Sequence, residues 1–511
     1  MTRLVGLALL LVTACAPAPV QTWDTVLPVP EETFVDSASG VHTFDPRSNI
    51  GVSRVELLPM AELLATELRA RTGWEWPVST ASSATIRLEA LELGPNALAR
   101  NEAYSLRVSR GGVTISAPTF SGIFYGTQTL LQLLPAYDTP GSFALLTGEL
   151  HDGPRFPWRG LMVDLARHFF SVAELKKLID VMARYKLNRL HLHLTDDQGW
   201  RLELQTRPTL TTIGASTAVG GGQGGFLTRN DYTELVDYAA ARFIVVVPEI
   251  DLPGHTTAAL ASLPELNCDG VSPAPYTGTM VGFSSLCASR PETFTFIDDV
   301  IGEVASLTPG PWIHLGGDEA QQTTLDDYRA MINRARTAIE ANGKHVIGWE
   351  ELARAGADSN TIVQHWVNPA LAKQAADQGA LILLSPARRL YFDMQYALDT
   401  PKDVGTFWAG FVSVSHSYDW EPVDLLEGVP ESSIVGVEGA AWTEFIDSDA
   451  ELESMIFPRL LGVAELGWSR PASRDLKDYL RRLSSQGPRL TRSQVEFFRA
   501  REVSWPGMQA D

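Results

Sequence analysis

The residues best equipped for chemistry stand together in His314-Leu315-Gly316-Gly317-Asp318-Glu319. Two adjacent carboxyl groups repel when both are ionised, so an ionised Asp318 favours the protonated form of Glu319. A proton donor beside a fixed negative charge is the equipment of general acid catalysis. Adjacency also restricts what the pair can do, because neighbours in sequence are poorly placed to approach one substrate from opposite faces. Further polar clusters accompany this one: Asp164, Arg167 and His168; Asp196-Asp197-Gln198-Gly199-Trp200; Glu249, Asp251 and His255; Glu350-Glu351; and Glu444. His191-x-His193 sets two imidazoles on one face of a strand, and with His255, His314 and Asp318 it offers the ligands of a metal-dependent amidohydrolase as a rival reading.

Each cluster follows a short apolar, β-branched run. The runs cover residues 160–164, 189–194, 244–248, 312–315, 345–348, 361–365, 380–384 and 434–437, mostly alternating with amphipathic helical patterns over 172–185, 229–241, 292–306, 325–341 and 451–466. Eight such units predict an α/β fold, a (β/α)8 TIM barrel, over residues 154–511. In that architecture active sites gather at the C-terminal ends of the strands, which is where the polar clusters fall. Before it, residues 30–153 carry helical spacing over 55–71 and 119–134 and strand-like runs over 84–91, 104–109 and 113–117, the pattern of a small α+β domain without evident chemistry. Residues 16–29, rich in Pro, Ala and Thr, are expected to be a tether.

Composition sets the outer bounds. A chain of 511 residues exceeds one ordinary core, and 45% hydrophobic with 20% charged residues describes a folded protein. The formal charge of −20, with no Lys/Arg cluster, excludes a nucleic-acid partner. Arg3 followed by the apolar run 4–12 reads as an export signal over 1–15, so the mature protein is expected outside the cytoplasm. Val12-Thr13-Ala14-Cys15 is similar to a bacterial lipobox, which makes Cys15 a candidate lipid attachment point and a lipid the expected link to a membrane; an ordinary signal peptide is the alternative. Cys268 and Cys287 share one Pro/Gly/Ser-rich stretch, and in an oxidising compartment they are expected to form a loop-stapling disulfide.

Trp349, Trp366, Trp408 and Trp442 fall at or beyond strand ends, where indole faces suit the C–H faces of a sugar ring. Cleaving a glycosidic bond needs a proton for the leaving oxygen and stabilisation of positive charge at the anomeric carbon. Adjacent carboxyls fit a substrate-assisted version: a 2-acetamido oxygen attacks the anomeric carbon, Asp318 holds the acetamide nitrogen and Glu319 delivers the proton.

These motifs bring a known family into view. His314-x-Gly-Gly-Asp318-Glu319, Arg159-Gly160 with Asp164-x-x-Arg167-His168, His191-x-His193-x-x-Asp196-Asp197-Gln198-Gly199-Trp200 and Pro248-Glu249-Ile250-Asp251-x-Pro253-Gly254-His255 resemble glycoside hydrolase family 20, the β-N-acetylhexosaminidases, in its bacterial two-domain form. The resemblance runs from about Leu27 to the C-terminus. It implies that Glu319 is the general acid and base, Asp318 the acetamide partner and Tyr391 a donor to the acetamide carbonyl. It further implies that Arg159, Asp393 and Glu444 bind sugar hydroxyls, that Trp349, Trp366 and Trp442 enclose the acetamide and ring, and that Trp408 lies nearer the aglycone. Asp196, Asp251 and His255 are then supporting contacts, the first module is noncatalytic, and neither metal nor organic cofactor takes part. The implied substrates are β-linked N-acetylhexosamine oligosaccharides or glycoconjugates. A sugar-binding lectin without activity is a third reading, against which the set Asp318, Glu319 and Tyr391 argues.

Overall fold

A computed structural model describes residues 20–92, 102–136 and 141–506; Cys15 and the export signal expected over 1–15 lie outside them. Eight parallel strands close a barrel: β1 (Trp158–Asp164), β2 (Arg189–His193), β3 (Val245–Glu249), β4 (Trp312–His314), β5 (His345–Trp349), β6 (Thr361–His365), β7 (Leu381–Leu384) and β8 (Ile434–Ala441), with β8 pairing back onto β1. Every residue of β1 and β6 is buried, as expected where helices cover the outside and side chains fill the inside.

Helices α1 (Val172–Arg184), α2 (Arg229–Ala240), α3 (Pro291–Leu307) and α4 (Leu325–Ala341) follow β1, β2, β3 and β4. Local chemistry sets where they begin. The Ser171 hydroxyl accepts from the Glu174 N–H, and Thr228 forms a reciprocal box with Asp231. The continuous helix expected over 451–466 is two helices, α5 (Asp449–Ile456) and α6 (Arg459–Trp468). Pro458 between them has no N–H to donate and cannot continue a helix.

The first module holds a seven-stranded mixed sheet, ordered Glu32–Val35, Gly148–Asp152, Tyr104–Ser109, Gly112–Ala117, Ile86–Ala90, Ile50–Val52, Val78–Ser79. A smaller sheet joins Val20–Gln21, Phe143–Leu146 and Val41–Phe44. The expectation of a tether over 16–29 is corrected from residue 20 onward. Trp23, Val26 and Leu27 are buried, the Leu27 N–H donates to Gln132 Oε1 at 2.9 Å, and the Val29 N–H donates to Glu465 Oε2 at 2.8 Å. Trp23, Val26 and Leu27, which precede Pro28 and Pro30, have a surface to bury against, which composition alone does not reveal.

Arg159 also sits elsewhere than the resemblance implies. It is the second residue of β1, at the N-terminal end of the barrel, and is fully buried. Its guanidinium pairs with Glu102 at 2.9 Å and donates to the carbonyls of Lys186 and Phe156, both at 2.8 Å. Nearby, Lys186 pairs with Asp152 at 2.9 Å, and the Trp468 indole N–H donates to the same carboxylate at 2.8 Å. These buried contacts lock the first module under the barrel. Removing one member of such a pair leaves an uncompensated buried charge, at a cost of about 3–5 kcal/mol. Arg159→Met is therefore expected to lower the denaturation midpoint and leave KM unchanged; a raised KM at unchanged stability would return Arg159 to the substrate site.

Candidate active site

The segment after β4 explains why the sequence carries two glycines there. Gly316 and Gly317 adopt φ of +67° and +96°, and a Cβ on Gly316 would stand 1.9 Å from Asp251 Oδ1. The turn is fixed by hydrogen bonds from several sides: the Gly317 N–H donates to Asp251 Oδ1 at 3.1 Å, the Tyr328 hydroxyl donates to the Gly317 carbonyl at 2.8 Å, and the Trp349 N–H donates to the Gly316 carbonyl at 2.9 Å. Glu319 itself has φ of +44°, and His255 has φ of +55°. Non-glycine residues rarely occupy this region, and such strain concentrates at sites whose surroundings enforce it.

The turn delivers Asp318 and Glu319 to a cavity of about 500 Å³ at the C-terminal mouth of the barrel. Tyr391, Asp393, Trp366 and Trp408 line it with them, and so do Trp442, Glu444 and His255. The Trp366 and Tyr391 rings are nearly parallel, 5° apart in plane with centroids separated by 6.3 Å. Trp408 stands edge-on to both at 6.2 and 6.0 Å and is 55% exposed at the rim. Trp349 is one layer deeper: it is buried, packs against Trp442 at 5.8 Å, and its indole N–H donates to Glu249 at 2.9 Å. It backs the aromatic wall.

Charges alternate around Asp318 and Glu319. His255 reaches Asp318 Oδ2 at 3.6 Å and Glu319 Oε2 at 3.5 Å through Nε2, while its Nδ1 faces Asp196 Oδ1 at 3.1 Å. Burial disfavours a charged His255, but Asp196 and Asp318 outweigh it and hold the imidazole well above its ordinary range. Burial also pushes the Asp318 carboxyl up, with His255 opposing and Glu319 assisting, to about 6. Burial and the nearby Asp318 push the Asp251 carboxyl well above the usual carboxylate range. At the other end, burial and Glu444 raise Asp393, and burial raises Glu444 despite Arg167. Asp318 Oδ1, Asp393 Oδ1 and the Trp442 indole nitrogen are buried without a protein partner, which is the signature of polar atoms aimed at a ligand.

Arg167 holds the position that Arg159 does not. It follows β1, lines the cavity, pairs with Asp196 at 2.8 Å, lies 3.6 Å from Glu444 and covers the Trp442 ring at 5.0 Å. Its place just beyond a strand end was the available signal. Thr279 and Val281 also line the cavity and had none, because their loop is aperiodic. That loop is closed by the Cys268–Cys287 disulfide, with Cα atoms 5.2 Å apart. It is further held by Ser284, whose hydroxyl donates to Asp197 at 2.6 Å, and by Gln198, whose amide donates to the Gly278 carbonyl at 2.8 Å.

Donor atoms close enough to share a cation occur in overlapping sets, among them His191, Glu249 and His314, and His255, Asp318 and Glu319. The imidazoles are engaged with carboxylates. His193 has Glu249 at 2.7 Å on one nitrogen and Asp196 at 2.9 Å on the other, and His191 lies between Glu249 and Glu438, both at 2.9 Å. His191, His193 and His314 are buried below the cavity, so the ligands assembled for an amidohydrolase do not open together onto substrate space.

Comparison with known proteins agrees with this geometry. The family model "Glycosyl hydrolase family 20, catalytic domain" matches residues 156–331 and 322–471, and "Glycosyl hydrolase family 20, domain 2" matches residues 25–151. A β-N-acetylhexosaminidase of Cellulomonas fimi is 41% identical over 458 residues, covering 89% of this chain and 92% of the relative. The structure of Streptomyces plicatus N-acetyl-β-hexosaminidase in complex with Thio-NAglucal superposes with a TM-score of 0.91 at 44% identity, covering 96% of this chain and 99% of that one. A mutant of the Streptomyces plicatus enzyme in complex with product GlcNAc superposes with a TM-score of 0.90 over the same shares. Because the match runs through the first module as well as the barrel, this chain belongs to glycoside hydrolase family 20.

Proposed function

We propose that the protein is an exo-acting, retaining β-N-acetylhexosaminidase that removes terminal β-linked N-acetylglucosamine or N-acetylgalactosamine with the substrate's acetamide as nucleophile. The observation that carries this reading is the position of Asp318 and Glu319 as neighbours on one glycine-shaped turn, both facing His255 and both on an aromatic-walled cavity. One carboxylate then accepts from the acetamide N–H and balances the charge of the cyclised intermediate. The other protonates the leaving oxygen and later withdraws a proton from the attacking water. The parallel Trp366 and Tyr391 rings form a slot suited to a flat amide, with the Tyr391 hydroxyl available to its carbonyl. Asp393, Glu444 and Arg167 take the sugar hydroxyls at the closed end, and Trp408 at the rim takes the aglycone.

The test is turnover of an aryl β-N-acetylglucosaminide beside the matching β-glucoside. We expect retained anomeric configuration, no effect of a chelator, and the glucoside slower by at least about a thousandfold, since removing the acetamide removes an intramolecular nucleophile. Comparable turnover of the glucoside overturns the reading. Loss of activity on chelation supports the amidohydrolase, and binding without turnover supports the lectin.

A further inference from the structure

Resting on the reading of Glu319 as the acid, we propose that Glu249 is a positioning residue for catalysis, the buried end of a chain Glu249–His193–Asp196–His255 that fixes His255 against Asp318 and Glu319. Nothing in the substrate-binding geometry calls for Glu249. It ends β3, is fully buried beneath the cavity and is the direct cross-strand neighbour of His193 at the end of β2.

The links are short and alternate in charge. Glu249 Oε2 lies 2.7 Å from His193 Nδ1, His193 Nε2 lies 2.9 Å from Asp196 Oδ2, and Asp196 Oδ1 lies 3.1 Å from His255 Nδ1. His255 then reaches the two carboxyls of the turn at 3.5 and 3.6 Å. Glu249, His193, Asp196 and His255 are each no more than 3% exposed. With a carboxylate on each side, both nitrogens of His193 carry protons, so the ring has one orientation and no choice of tautomer. Burial opposes that charge, and Glu249 with Asp196 outweighs it.

The same logic passes outward. His193 and Arg167 hold Asp196 ionised against its burial, and Asp196 in turn keeps His255 charged and correctly turned. Without Glu249, His193 loses a partner on Nδ1, can flip or deprotonate, and releases Asp196 Oδ2. The looseness arrives at the acid. Glu249 also accepts from the Trp349 indole. A purely architectural role through that contact would disturb the aromatic wall and slow all substrates alike.

This difference supplies the test. Kinetics of Glu249→Gln, His193→Gln and the double variant are measured on methyl and 2,4-dinitrophenyl β-N-acetylglucosaminides, with Glu319→Gln in parallel. The methyl aglycone needs a proton to leave and the dinitrophenyl aglycone does not. In metal sites the outer hydrogen-bond partners of a ligating imidazole carry about 10–100-fold of activity, and the same scale is taken for this chain. We therefore expect kcat on the methyl substrate to fall by about that factor in Glu249→Gln, the loss on the dinitrophenyl substrate to be at least about tenfold smaller, and KM to be little changed. The double variant should lose no more than the worse single one, because both break one chain. Equal losses on the two substrates, a change confined to KM, or additive losses overturn the proposal. Should Glu249→Gln fail to fold, His193→Gln is judged by the same split. If Glu319→Gln itself shows no split, the acid assignment fails; if it does and the Glu249 and His193 variants do not, only this inference fails.

Discussion

Glu319→Gln should reduce kcat on a methyl β-N-acetylglucosaminide by about a thousandfold while sparing most of the rate on the dinitrophenyl glycoside. Positioned proton transfer is worth roughly 10²–10⁴ in rate, and the upper part of that range applies where the leaving group is an alkoxide that departs poorly unprotonated. The substitution preserves the shape of the side chain and its reach toward His255 Nε2, which lies 3.5 Å from Glu319 Oε2 in the native protein, so a loss cannot be assigned to a collapsed site. Among the described residues, the other carboxyls that line the cavity are Asp318, Asp393 and Glu444. On the proposed reading Asp318 takes the acetamide from the same turn, and Asp393 and Glu444, which line the cavity with Arg167, take sugar hydroxyls. The measurement is a plot of log kcat against leaving-group pKa: nearly flat for the native enzyme and steep for the variant. A variant that stays flat at native rates removes Glu319 from the acid role.

The sequence made the barrel legible because parallel barrel strands are buried on both faces, and continuous apolar runs such as 361–365 read clearly. It also located the active end, since functional groups follow strand ends. The same rule separates the two arginines. Arg167 comes three residues after the last residue of β1, whereas Arg159 comes one residue after its first, at the opposite end. Motif resemblance drew Arg159 into the site, and strand polarity excludes it. What remained illegible depends on tertiary partners. Residues 20–29 look like a linker by composition and are anchored because Gln132 and Glu465 meet their backbone. Glu249 reads as one acid within a motif until three dimensions set His193 beside it. Thr279 and Val281 reach the cavity because a disulfide and Asp197 shape an aperiodic loop.

The other large effect is expected at Asp318, where geometry and titration make one argument. If an ionised Asp318 accepts from the acetamide N–H and balances the positive charge that develops as the acetamide oxygen bonds to the anomeric carbon, the protonated enzyme is inactive at this step. The carboxyl is pushed up to about 6 by burial, with His255 acting against the rise and Glu319 with it. The sign follows: kcat/KM should fall as pH drops through about 6, because protonation removes the charge that the transition state needs. Asp318→Ala should lower kcat by about 10²–10³, the usual loss when one preorganised electrostatic partner of a developing charge is deleted. Asp318→Asn separates shape from charge, since it keeps the volume and loses the acid limb. Fluorinated acetamides extend the test to the nucleophile itself. Successive fluorination weakens the amide oxygen, so native rates should decline steeply along the series. A native acid limb retained in Asp318→Asn would remove Asp318 as the group that sets it, and rates indifferent to fluorination would transfer the first bond from the substrate's amide to a side chain.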